Sequence, residues 1–141
     1  VQHWQKLRDE RKETYLSFLG AVEEFQFEIA KFHAALGSST PDQLRPLTDQ
    51  VRRTTGDRLT ELYRKCNRVG LAGPDDIADL AGTIRVAATR AFARLEDHVR
   101  NGTRPNSESV RAYLRSLDEL IALQRQFVDQ GAQLLREQPS Q

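Results

Sequence analysis

The chain has 141 residues, enough for one hydrophobic core and not for two, so a single domain over 1–141 is expected. Hydrophobic residues are 38% and charged residues 29%, a balance that suits a slender helical bundle better than a compact α/β fold. A net charge of +1 supplies no field for nucleic acid or an anionic membrane, and the lone cysteine, Cys66, excludes an intrachain disulfide.

The first 36 residues set the plan. Trp4, Leu7, Arg11, Tyr15, Phe18, Val22, Phe25, Ile29, Phe32 and Leu36 recur at steps of three or four. That spacing predicts one long helix over about 2–36, roughly 50 Å at 1.5 Å per residue, with only Arg11 breaking its apolar stripe. Such a helix cannot bury its stripe alone, so the rest of the chain must cover it. Gly37 is expected to close it as a left-handed cap.

Thr40-Pro41-Asp42-Gln43 reads as the start of a second helix over about 41–69, with Thr40 as N-cap and Gln43 completing a capping box. Its stripe is Leu44, Leu47, Val51, Thr55, Leu59, Leu62, Cys66 and Val69, and Gly56 should weaken it locally. Val69-Gly70-Leu71-Ala72-Gly73-Pro74 breaks the pattern. Gly73 is expected as N-cap and Pro74 as first residue of a third helix over about 75–101, which presents Ile77, Leu80, Ile84, Ala88, Ala91, Leu95 and Val99. Its Ala-rich middle predicts close approach to a neighbour. After Asn101-Gly102, Pro105-Asn106-Ser107-Glu108 opens a fourth helix over about 107–137. Its expected stripe is Val110, Leu114, Leu117, Ile121, Val128 and Leu135, containing Gln124 and Gly131 and widened by Tyr113, Leu120, Phe127 and Leu134. Four helices and short loops predict an all-α, antiparallel up-down-up-down four-helix bundle with a long first helix. Its core should include Trp4, Tyr15, Phe18, Phe25, Leu62, Ile84, Leu95, Leu117 and Ile121.

Trp4, Arg8, Asp9, Arg11, Tyr15, Phe18 and Leu19 stand as W-x3-R-D-x-R-x3-Y-x2-F-L. This pattern resembles a group of uncharacterised actinobacterial helical proteins, and the Val69-Gly70-Leu71-Ala72-Gly73-Pro74 step resembles a later feature of the same group. The resemblance implies no activity. It implies a bacterial protein, cytoplasmic or facing the cytoplasm from a membrane segment upstream of the Trp, a segment this chain does not contain. The mostly arginine basic residues, with abundant Ala and Leu, fit a GC-rich bacterial genome. No run of 18 apolar residues occurs.

A carboxylate-bridged metal centre would need paired Glu-x-x-His motifs, and none of His3, His33 or His98 follows a Glu at that spacing. Glu24 and Glu28 lie off the stripe and read as solvated. Arg94-Leu95-Glu96-Asp97-His98 departs from the Arg/His spacing of helical ribonucleases, so His98 reads as a half-buried structural residue. Neither a phosphate loop nor a catalytic triad is identifiable, and no catalytic residue, metal or cofactor is expected. The arginines of the second helix (Arg45, Arg52, Arg53, Arg58, Arg64, Arg68) alternate with carboxylates and predict an ion-paired, solvated face with no nucleic-acid role.

Two anomalies remain. Arg11 falls within the apolar arc and is expected to meet Asp76, Asp79, Glu61 or Gln124, as a structural ion pair or as the anion clamp of a polar pocket with Gln124. Leu16, Leu19 and Phe27 project away from the main stripe, so either the first helix is buried on a broad face inside the bundle or this arc meets another chain, and the second is expected. The functional expectation is a non-enzymatic interaction module, homodimeric or bound to another protein through the first helix. The alternative is a ligand-sensing bundle with a pocket around Arg11.

Overall fold

Each of the four periodic segments forms one unbroken helix. A computed structural model describes residues 2–38, 40–100 and 107–137. The helices are α1 (Gln2–Ser38), α2 (Pro41–Ala72), α3 (Asp75–Arg100) and α4 (Glu108–Arg136), and no strand occurs among the described residues. The expected all-α four-helix bundle with a long first helix is what forms. α1 packs broadly along α2 and α3 along α4, while α2 and α4 stand at opposite corners. α1 also reaches α3 across the bundle, where the buried Ala81, Ala88 and Ala91 leave room for it.

The caps show why the segments end where they do. Thr40 N–H donates to the Gln43 side-chain oxygen at 3.1 Å, the reciprocal half of the predicted capping box. Ser107 Oγ accepts from Val110 N–H at 3.3 Å and starts α4. Asn101, Gly102, Pro105 and Asn106 lie outside the described residues. Gly37 is helical and not a left-handed cap, since α1 continues through Ser38. Pro46 lies inside α2, which continues past it although the Asp42 carbonyl loses its usual donor.

Gly73 differs from expectation. It caps the C-terminus of α2, its N–H donating to Val69 O at 2.9 Å, and α3 begins at Asp75 with Pro74 outside the helix. Its φ of 62° and ψ of −169° fall in a region essentially restricted to glycine. Gly73→Ala should therefore destabilise by about 1–3 kcal/mol even though nothing crowds the added Cβ. Urea denaturation checks this, and an unchanged midpoint would show that the turn relaxes.

One core runs the length of the bundle, with Tyr15, Phe18, Phe25, Leu62, Ile84 and Leu95 buried as expected. Trp4 and Ile121 are only partly covered, and Leu117 packs at the core margin. The expected face of α4 is rotated. Its buried residues are Val110, Tyr113, Ser116, Leu120, Phe127 and Gly131, while Leu114 and Val128 are exposed. The aromatic rings decide this. Phe127 packs on Phe18 at 5.0 Å and edge-on to Tyr15 at 5.7 Å, and Gly131 is glycine where the Tyr15 ring lies 3.4 Å from a built Cβ.

Candidate functional site

The start of α1 lies against the turn from α2 to α3. Arg11 Nε donates to the Ala72 carbonyl at 3.2 Å, and Tyr15 OH donates to the Gly73 carbonyl at 2.6 Å. Arg11 thus satisfies an orphan carbonyl at the negative end of α2 and meets none of Asp76, Asp79, Glu61 or Gln124 in the expected ion pair or hydrogen bond. Burial pushes the Tyr15 hydroxyl above its usual value, the Arg11 charge opposing and the Asp76 charge reinforcing that shift. The phenol therefore stays a donor at neutral pH. Tyr15→Phe should cost about 1–2 kcal/mol by leaving the Gly73 carbonyl short of a partner. Arg11→Met should cost less, because the guanidinium is only part-buried. Thermal melts of the two variants test the ranking.

Gln124 does not sit in the core stripe. It lines a shallow depression on the outside of α4 with Ile121, Arg125, Val128 and Asp129. Arg11 meets the α2–α3 turn, whereas the lining of the depression beside Gln124 does not include it.

The outer face of α1 is open. Leu16 is 58% and Phe27 68% exposed, large values for such side chains on a helix whose opposite face is fully buried. Leu19 does not join them: it packs against the core margin, being about a quarter-turn from the stripe. Beside Leu16 an open groove of ≈ 760 Å³ runs between α1 and α2. Ser17, Gly20 and Ala21 keep its α1 side low, and Glu24, Asp57, Arg58, Glu61, Arg64 and Lys65 supply the charged walls. Arg58 pairs with Glu24 at 2.9 Å, and Glu61 takes Arg64 at 3.3 Å and Lys65 at 3.7 Å. With Arg52 paired to Glu96 at 3.2 Å, the predicted ion-paired surface forms at Arg52, Arg58 and Arg64, while Arg45, Arg53 and Arg68 make no ion pair among the described residues. Such exposed pairs contribute little stability, and here they leave the groove charged but nearly balanced.

No known protein family, curated protein or solved structure matches this chain.

A second cluster is not visible from the stripe pattern alone. His33 from α1, His98 from α3 and Tyr113 from α4 bring their rings together, His33 lying 5.9 Å from His98 and 5.1 Å from Tyr113. His98 is 4% exposed, not half-buried, and its Nδ1 has no hydrogen-bond partner. Burial, and secondarily the neighbouring His33, push its pKa below the usual imidazole value. Tyr113 OH donates a long bond of 3.5 Å to Ile29 O, and burial raises its pKa to about 12. His98 stands three residues after Leu95 and seven after Ala91, so periodicity alone places it inside. Glu28 is likewise buried against expectation, whereas Glu24 is exposed. Among the described residues no three His, Cys, Asp or Glu side chains gather as a metal site. Cys66 is buried, and burial raises its thiol pKa, so the thiolate is scarce and the group inert.

Proposed function

We propose that this protein is a non-enzymatic helical interaction module whose working surface is the outer face of α1. The observation that carries the reading is the exposure of Leu16 and Phe27 along one line of a helix whose other face is the spine of the core. Large apolar side chains held that far from their own core lose contact with water only when another chain covers them. The partner is a second copy or another protein. The polar-pocket alternative gains nothing from the geometry, since Arg11 is engaged by Ala72.

The resemblance of the opening segment supports a bacterial protein that is either cytoplasmic or membrane-tethered and facing the cytoplasm. Among the described residues no helix is long and apolar enough to cross a membrane. Sedimentation over a wide concentration range tests the association. The wild type should move from monomer to dimer, and a Leu16→Glu, Phe27→Glu variant should stay monomeric with unchanged helix content. A wild type monomeric at every concentration excludes the second copy and leaves another protein as the partner.

A further inference from the structure

Resting on the reading of the α1 outer face as an interface, we infer that α1 pairs with α1 of a second copy in antiparallel register, Phe27 of each copy seated beside Leu16 of the other. The exposed line is self-complementary in a way that selects this arrangement. Leu16, Gly20 and Phe27 fall within about 40° of one another at 100° per residue, and Leu16 and Phe27 stand about 16 Å apart along the axis. A two-fold axis passing between the two helices, level with the Ala21–Val22 step, brings Leu16 opposite Phe27 of the second copy, and Gly20 opposite its Glu23. That symmetry gives an isologous, closed dimer.

The surface supplies a seat for the incoming ring. The groove between α1 and α2 opens beside Leu16, with Ser17, Gly20 and Ala21 forming its low side. An added Cβ at Gly20 meets nothing within 4 Å, so this stretch of helix is free for close approach. An aromatic anchor entering a recess next to an aliphatic side chain is the usual centre of a small interface.

Charge selects the same pairing. Glu13 and Lys31 lie on one edge of the line, are exposed, and have no ion-pair partner among the described residues. The two-fold places Glu13 of one copy level with Lys31 of the other, within one residue of exact register, and does so twice. A parallel pairing instead puts Glu13 level with Glu13 and Lys31 level with Lys31, so neither ion pair forms. The two Glu23 carboxylates approach each other on the rim, a modest opposing term that solvent screens.

Cysteine cross-linking on a Cys66→Ala background tests the register. Gly20→Cys lies beside the two-fold and should form a disulfide with its own copy. Leu16→Cys and Phe27→Cys should not cross-link alone, but a mixture of the two should. Glu13→Lys should raise the dimer Kd about tenfold, the symmetry doubling a modest pair effect, and adding Lys31→Glu should restore it. Self-cross-linking of Leu16→Cys would show a parallel dimer and overturn the register while the interface reading stands. A dimer that cross-links at none of these positions, and is indifferent to Leu16→Glu with Phe27→Glu, overturns both. A wild type that sediments only as monomer overturns the pairing with a second copy and leaves another protein as the partner of this face.

Discussion

Phe127→Ala should destabilise the bundle by about 3–5 kcal/mol, a large share of the roughly 5–15 kcal/mol available to a domain of this kind. The ring is fully buried, 5.0 Å from Phe18 and 5.7 Å from Tyr15 in an edge-on arrangement. Removing it loses the transfer free energy of the ring and leaves a cavity that rigid helices close only in part. The loss also propagates. Tyr15 stands against Phe127 on one side and holds the Gly73 carbonyl with its hydroxyl, so an unsupported ring weakens the grip on the α2–α3 turn. Tyr15→Phe should accordingly cost less in the Phe127→Ala background than in the wild type, a coupling that a double-mutant cycle reads directly. Val128→Ala, next in sequence but 47% exposed, should stay within about 0.5 kcal/mol of wild type. Equal losses at 127 and 128 in urea denaturation would return α4 to the face its leucines suggested.

That contrast shows how much of the molecule its sequence discloses. α1 is legible because its repeating apolar stripe occupies one narrow arc, and every stripe residue from Tyr15 to Leu36 is buried. α4 carries apolar residues round more than half its circumference, so periodicity admits two faces. The choice falls to ring packing against α1, which no local pattern contains. Gly73 was readable as a break between helices, but its role as cap of the preceding helix depends on backbone geometry. Arg11 was readable as an anomaly within the stripe. Its partner was not, because a backbone carbonyl at a helix end is identical in every sequence. The outer face of α1 was legible at Leu16 and Phe27, which lie opposite the core. It was misleading at Leu19, whose flank position lets a long side chain reach the core margin.

Lowering the pH from about 7.5 to 5.5 should destabilise the wild type, and His98→Leu should remove a definite part of that loss. In the folded chain His98 is buried, lies 5.9 Å from His33, and leaves Nδ1 without a partner. Protonation would make both ring nitrogens donors in a place that offers this atom no acceptor, and would set a positive charge beside a second imidazole. The folded pKa therefore lies below the ordinary value of about 6.5 that the unfolded chain restores. Between those two values the unfolded chain binds the extra proton and the folded chain does not. Stability from this source is thus complete above about pH 6.5 and is lost as pH falls toward the folded pKa. The slope cannot exceed about 1.4 kcal/mol per pH unit for one proton. The position of His98 in the last turn of α3 favours a positive charge, but a helix terminus contributes at most about 1–2 kcal/mol. Against it stand the desolvation of a ring only 4% exposed and the neighbouring His33. This pH range lies above ordinary carboxylate titration, so the difference between wild type and variant isolates the imidazole. Urea midpoints at the two pH values, read for both proteins, give the answer. If the wild type and His98→Leu lose stability equally, His98 is neither buried neutral nor lowered in pKa, and the α1–α3–α4 junction must open to solvent in the folded state.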